Sequence, residues 1–430
     1  MATRPGWFGT VNPDIVHRSE AFGGVLFNLE TKDYSPLNDI GYLLFKLLAD
    51  GAPRARLIGA LGERCMDDTG VRPDLTALED ACEAFMAQLH ALDIIRRPHA
   101  VPTPNLVDGA RGAQDRQATP RLRAPLVVSL ATLFRCNLSC AHCYVGSTNE
   151  DKEDNLSREE ICTLLERLRD AGVFDVVLTG GEALLAVGIE AILRHAKALG
   201  FYVCLNTNGT LITASLARRL AATGVDVVKI SLDSADAAAH DAFRGQARAF
   251  ERSVRGIEAL VSAGVRTDTH TVISTGATTA PRDIEALLAL AHRLGVTRAH
   301  FGRVFSTGRA SDALKLANER IRALSDYVAR RKAEGETLIG RVPSTVQPHV
   351  PAIPDYDGCG GCARGVYAYI GYNGEVFPCT NLYSAPWRLG SLRNAGLETI
   401  WHTSPVLATL REHLADAEAA LTATGSAVHE

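Results

Sequence analysis

Between residues 125 and about 335 one unit recurs: a helical stretch stops at a glycine, and a strand-like run follows at once. The stops are Gly172, Gly200, Gly224, Gly264 and Gly295. The runs are Val173–Thr179, Phe201–Thr207, Val225–Ser231, Val265–Ile273 and Val296–Arg303. Glycine supplies the left-handed residue that ends a helix. One helix opens with a capping box, Ser157 to Glu160, and then sets Ile161, Leu164, Leu165 and Leu168 on one face. Strand alternating with helix predicts a parallel sheet in an α/β protein. With Leu126–Thr132 as first strand there are six such units, too few for an eight-stranded barrel. A partial (β/α)6 barrel is therefore preferred over a doubly wound sheet. In parallel barrels the chemistry sits at the C-terminal strand ends, so the residues just after each strand are the candidates.

The chain of 430 residues is 46% hydrophobic and 22% charged, enough to bury more than one core at ~100–200 residues per domain. Residues 1–97 read as a small unit of short strands (Ile15–Val16, Gly24–Phe27, Lys32–Pro36) and three helices. Asn38 caps the first helix, Arg54–Cys65 forms the second, and the third runs near Leu75–Leu92. Residues 98–124, rich in Pro, Ala, Arg and Gly, read as a linker, or as an irregular segment packed on a domain. The barrel spans 125–335 and a last domain 336–430. A net charge of −4 argues against a nucleic-acid partner. No apolar run approaches the ~18 residues of a membrane span. The N-terminus lacks a secretory signature, which implies a cytoplasmic protein. Ten cysteines in a reducing compartment point to metal or redox work rather than disulfides.

Just after the first strand stand Cys136, Cys140 and Cys143, followed by Tyr144: C-x3-C-x2-C and an aromatic. Three thiolates on one loop suit a cube of iron and sulfide and leave a fourth iron open. A closed zinc site needs four ligands and only three are local. A redox dithiol Cys140/Cys143 leaves Cys136 unexplained. No histidine follows for haem attachment. This pattern resembles the radical S-adenosylmethionine (SAM) superfamily. The resemblance implies a [4Fe–4S] cluster on the three cysteines, with SAM chelated at the open iron.

Further strand-end segments carry the same resemblance. Thr179-Gly180-Gly181-Glu182 resembles the motif that binds the SAM amino group, its carboxylate pairing the ammonium. Asn206-Thr207-Asn208-Gly209 and Ser231-Leu232-Asp233 resemble segments lining the ribose and methionyl parts. Phe243-Arg244-Gly245 resembles an Arg-Gly whose guanidinium binds the SAM carboxylate. Read for themselves, Asn208 is equally a left-handed turn residue, Asp233 a helix cap and Arg244 a solvated surface charge. Cys65, Cys82, Cys162 and Cys204 read as packing residues.

In the last domain Cys359 and Cys362 precede a hairpin, Val366–Ile370 and Glu375–Phe377, around Asn373-Gly374; Cys379 follows. This resembles the SPASM/Twitch extension. With no cysteine after Cys379, the shorter Twitch form is implied: one auxiliary [4Fe–4S] cluster on Cys359, Cys362 and Cys379, its fourth position unassigned, with zinc as the alternative metal. The first unit resembles the winged-helix-like, PqqD-like precursor-recognition domain. The whole order resembles the maturases of ribosomally made peptides. That implies a 5′-deoxyadenosyl radical acting on a precursor peptide docked on residues 1–97. It also implies a reducing donor such as flavodoxin or ferredoxin, and an intramolecular thioether or carbon-linked cross-link as product. A radical SAM enzyme on a small metabolite is the alternative; a non-catalytic metal-binding carrier is a third. No general acid, base or hydrogen donor is identifiable.

Overall fold

The computed structural model describes residues 10–66, 73–96, 121–305, 307–340 and 365–412. It divides into two units, Met1–Pro120 and Arg121–Glu430.

In the first unit β1 (Thr10–Val11), β2 (Ile15–Glu20), β3 (Gly23–Asn28) and β4 (Tyr34–Leu37) precede α1 (Asp39–Ala49), α2 (Arg54–Arg64), α3 (Leu75–Ala91) and β5 (Ile95–Arg96). β2, β3 and β4 form an antiparallel sheet in that order, and β1 pairs with β5. Leu26 of β3 packs with Phe45, Leu57 and Met86 from the three helices. Asn38 caps α1 as expected, its side chain accepting from Gly41 N at 2.8 Å. The expected strand start at Lys32 is corrected. Asn28 Oδ1 accepts from the Glu30 and Thr31 amides, which tightens the turn. Lys32 then takes φ 66, a left-handed value that no strand residue adopts, so β4 begins at Tyr34.

In the second unit six parallel strands follow in sequence. They are β6 (Val127–Ala131), β7 (Asp175–Thr179), β8 (Tyr202–Thr207), β9 (Val227–Ser231), β10 (Thr267–Ile273) and β11 (Arg298–Arg303). Helices α4 (Arg158–Asp170), α5 (Ile189–Ala198) and α6 (Ala214–Ala221) connect the first four. α7 (Ala237–Arg244) and α8 (Ala249–Ser262) lie between β9 and β10, α9 (Pro281–Leu294) between β10 and β11, and α10 (Asn318–Ala333) after β11. All five stop glycines have φ between 71° and 82°. This is the α/β fold expected, six βα units of an open parallel barrel. Each strand begins one or two residues later than read, because the first residues after the glycine still close the turn.

The two faces of the sheet differ. Val128, Leu130, Val176, Leu178, Val203, Leu205, Val228, Ile230, Ala299 and Phe301 alternate onto the outer face. There they form one core with Leu165, Leu193, Leu220, Ile257 and Leu288 of the helices. The residues between them, among them Ser129, Thr179, Asn206, Lys229, Ser231, Asp268, His270 and His300, form an inner face that is largely polar. The chain then continues this sheet. β12 (Tyr367–Ile370) pairs in parallel with β6, Tyr369 opposite Ser129, and leads through the Gly374 turn (φ 83) into β13 (Glu375–Phe377) and β14 (Gly390–Ser391). α11 (Leu397–Thr403) inserts Trp401, fully buried, into the outer core. Leu122 and Ala124, within the stretch read as linker, are buried; residues 98–120 lie outside the described residues.

The Ser157 capping box is present. Ser157 Oγ accepts from Glu160 N at 3.1 Å, and Glu160 accepts from Ser157 N at 2.8 Å. Ser157→Ala is expected to cost about 1 kcal/mol. In a unit this large that lowers the melting temperature by only ~2 °C in differential scanning calorimetry.

Candidate metal centre and active site

The loop that leaves β6 and carries the cysteines is held by backbone on three sides. After β7, Gly181 N donates to Leu133 O (2.8 Å) and Glu182 N to Arg135 O (2.9 Å). A Cβ on Gly181 would sit 2.2 Å from the carbonyl oxygens of Phe134 and Arg135. At the end of α7, Ala141 N donates to Phe243 O (3.0 Å), and a Cβ on Gly245 would sit 2.6 Å from Ser139 Oγ. After β11, Arg309 N donates to Cys143 O (2.9 Å) and its Nε to Cys140 O (3.1 Å); a Cβ on Gly308 would sit 2.3 Å from Cys143 O. Only glycine permits these approaches. Asn137 adds a fourth tie: its Nδ2 donates to Thr210 Oγ1 and its Oδ1 accepts from Asn208 Nδ2, both at 2.9 Å.

So held, the three thiols converge. Cys136 and Cys140 are buried, packed with Leu138 and with the half-buried Cys143. Leu138 N donates to Cys136 Sγ (3.4 Å) and Arg244 Nη1 to Cys140 Sγ (3.7 Å). Burial pushes the Cys136 thiol up to about 12. It raises Cys140 as well, against the pull of Arg244. Thiolates in such a place need positive charge to face them, which iron supplies. Among the described residues no three His, Cys, Asp or Glu side chains close around a single metal ion. A cluster spreads its thiolates over three irons and does not need that closeness. The donor set therefore fits an iron–sulfur cluster held by Cys136, Cys140 and Cys143.

Around it lies a buried charged layer. Glu182, 1% exposed, accepts at Oε1 from Leu184 N (3.0 Å) and Thr207 Oγ1 (2.6 Å), and at Oε2 from Asn208 N (2.8 Å). Burial raises its pKa, and the three donors oppose the rise. Arg244 is buried, so a solvated surface charge is excluded; it pairs with Asp233 at 2.6 Å. Burial disfavours both charges, but each holds the other ionised, Asp233 low and Arg244 high. Asp233 caps no helix; Asp236 caps α7. Asn206 and Ser231 point to the inner face near the ends of β8 and β9. Asn208 turns the chain into the Asn137 tie and gives its carbonyl to Ser253 Oγ (2.7 Å). Tyr144 meets Tyr369 and Tyr383 edge-on, with centroids 5.8 and 6.4 Å away. Cys379 is buried just after β13 against Leu382 and Leu410. Cys359 and Cys362 lie outside the described residues.

Comparison with known proteins agrees with this site. Residues 131–291 match the model of the radical SAM superfamily, and residues 359–421 match SPASM, an iron–sulfur cluster-binding domain. An AdoMet-dependent heme synthase from Nitratidesulfovibrio vulgaris is 31% identical over 317 residues, covering 69% of this chain and 82% of the relative. Mycofactocin maturase MftC from Mycolicibacterium smegmatis is 30% identical over 317 residues, covering 72% and 76%. Streptococcus suis SuiB bound to precursor peptide SuiA shares the fold, with TM-score 0.65, 18% identity, and coverage of 94% of this chain and 90% of that one. The chain belongs to the radical SAM superfamily. It is a radical SAM enzyme of the SPASM type, with a SAM-binding [4Fe–4S] cluster and an auxiliary cluster.

Sequence reading missed Asn137, Thr210 and Arg309. Arg309 had a usable signal, since Thr307-Gly308-Arg309 follows the last strand as Thr179-Gly180-Gly181 follows the second. The two Asn137 partners lie far along the chain and carry no local mark.

Two [4Fe–4S] clusters imply about eight iron per chain. Replacing Cys136, Cys140 and Cys143 together with Ala is expected to halve the iron and abolish SAM cleavage. Replacing Cys359, Cys362 and Cys379 should halve the iron by itself. Stoichiometric zinc after anaerobic reconstitution would refute the auxiliary assignment.

Glu182→Gln sets an amide donor against the Asn208 N–H, at a cost of roughly 1–3 kcal/mol. The SAM dissociation constant should rise about tenfold or more, since 1.4 kcal/mol is a factor of ten, with iron content unchanged. Equal affinity in equilibrium dialysis would mean that the carboxylate serves only the strand ends.

Proposed function

We propose that this chain is a radical SAM maturase that cross-links a ribosomally made precursor peptide. The observation that carries the reading is the first unit. A barrel acting on a small molecule has no need of a separate unit with its own core, yet residues 10–96 form one. The likeness to SuiB, at 94% of this chain, extends into that unit, and the mycofactocin maturases give sequence support. In this reading residues 1–97 are a PqqD-like recognition domain. The leader adds as a strand beside β4, whose neighbour on one side only is β3. Backbone hydrogen bonds would give affinity and flanking pockets specificity.

Bound SAM and the two clusters supply the one-electron chemistry: a 5′-deoxyadenosyl radical to take a substrate hydrogen, and a sink for the electron left when the cross-link forms. The protein's own part is to hold the cysteine loop still and close the site to water. A thioether is the preferred product, because three cysteines with a free fourth position suit capture of a substrate thiolate. A carbon-linked cross-link is the rival. A flavodoxin or ferredoxin in the cytoplasm is the electron donor in this scheme. The heme synthases favour a second reading, in which a small metabolite or cofactor precursor is the substrate.

Removing residues 1–97 separates the two. On the first reading, peptide modification is lost while unproductive SAM cleavage persists; a truncated enzyme that modifies precursor at the normal rate overturns it. The modified peptide should be lighter by two hydrogens per link. A thioether leaves the substrate cysteine closed to alkylation, whereas a thiol that still reacts gives the carbon-linked product its place.

A further inference from the structure

The inner face of the barrel holds charge that the cluster site does not use. Register aligns Asn206, Lys229, Asp268 and Arg298 in one row across β8 to β11, and Ser231, His270 and His300 in the next row toward the strand ends. Of these, Asp268 is already engaged. It is buried, with His300 Nε2 3.0 Å from Oδ2 and Arg266 Nε 3.7 Å from Oδ1. Lys229 is different: it stands opposite Asp268 and its charge helps to keep that carboxylate ionised, but among the described residues no carboxylate lies within ion-pairing distance of it. Among the same residues the His270 side chain makes no hydrogen bond. On β11, two residues past His300 and level with Val272, stands Gly302. A Cβ there would lie 3.0 Å from His270 Nε2, so the glycine leaves that nitrogen uncovered. Burial, then Lys229 and His300, hold the His270 imidazole down to about 3, so it is neutral near pH 7.

A cation and a neutral imidazole thus come from adjacent strands onto one face, where Asp268, opposite Lys229, already answers to Arg266 as well. A half-buried ammonium without a carboxylate in ion-pairing contact gains from a ligand that brings one. Lys229 lies two residues before the end of β9, roughly 7 Å deeper than Ser231 at ~3.3 Å per residue. The cysteine loop and Glu182 lie beyond the strand ends, on the other side of that row. Lys229 therefore lies deeper in the barrel, on the side of the Ser231 row away from the cysteine loop.

We propose that Lys229 and His270 bind a carboxylate of the substrate within the barrel and thereby fix which carbon faces the radical. The identity of that substrate rests on the peptide reading above, in which the carboxylate is either the peptide's free C-terminus or an acidic side chain. The site itself depends only on the carboxylate.

Saturation-transfer NMR on the full-length, reconstituted enzyme tests it, with two probes. N-acetylalanine offers a C-terminal carboxylate; the α-amide of N-acetylglutamate offers a side-chain one. At least one should give a signal in the wild type that persists with saturating SAM. That signal should fall about fivefold or more in Lys229→Met and in His270→Ala and survive in Lys229→Arg, while N-acetylalanine amide should give none. Which probe binds identifies the source of the carboxylate. No signal from either, an equal signal in Lys229→Met, or loss of the signal on adding SAM overturns the proposal; the last would assign Lys229 to the carboxylate of SAM. Iron content and circular dichroism of each variant report folding, and if Lys229→Met fails them, His270→Ala decides alone. The probes carry no leader, so a failure of leader binding on residues 1–97 leaves this result standing.

Discussion

Everything chemical in this protein depends on a close contact between backbones. The cysteine loop has no regular secondary structure of its own, yet three buried or half-buried thiols must face one cluster. The fold solves this by pressing other strand-end loops against it with nothing between. Gly181, Gly245 and Gly308 each lie where a single methyl group would collide with Phe134–Arg135, Ser139 or Cys143. Each contact carries amide-to-carbonyl hydrogen bonds that satisfy loop groups left without a strand or helix partner. The glycines after β7 thus have a mechanical role besides any contact with SAM. They bring Glu182 under the loop, where its carboxylate joins the ends of β7 and β8.

The barrel was legible because its signals are local. A capping box, a left-handed stop and an alternating strand each occupy a few neighbouring residues. Ser157–Glu160 and the five stop glycines therefore stand where they were read. The cysteine trio was legible for the same reason. Arg244 shows the limit. Its motif is local, but its partners Asp233 and Cys140 come from a strand end and from a loop about a hundred residues earlier. Nothing in Phe243-Arg244-Gly245 distinguishes a buried pair from a surface charge. The Asn137–Asn208–Thr210 tie is illegible on the same ground. Lys32 was misread because strand propensity ignores what Asn28 does to the turn before it.

The inner face of the sheet sets this barrel apart from a storage core. Parallel strands covered on both faces usually read as continuous apolar runs. Here β8 to β11 alternate, with Val228 and Ile230 turned to the helices and Lys229 and Ser231 turned inward. The alternation costs stability, because it places ionisable groups where water is scarce. His300 and Asp268 partly offset that cost by meeting each other. Lys229 adds to it from the opposite strand without an ion-pair contact, and such local inconsistency is the mark of a functional position.

The C-terminal part depends on the same sheet. β12 extends it beside β6, the strand that feeds the cysteine loop, and Ser129 Oγ hydrogen-bonds the Tyr367 hydroxyl across that seam. Tyr369 of β12 then meets both Tyr144, next to Cys143, and Tyr383, four residues past Cys379. Phe377 completes the group at 4.8 Å from Tyr383. The two cysteine-bearing segments are thus joined by a strand ladder and packed rings rather than by a tether. Because a ladder cannot slide by less than two residues without turning inner groups outward, the position of Cys379 relative to Cys143 is set by strand register. A fixed register gives Cys143 and Cys379 one separation rather than a range of them. Tyr369, buried and central to the rings, is where that spacing is maintained.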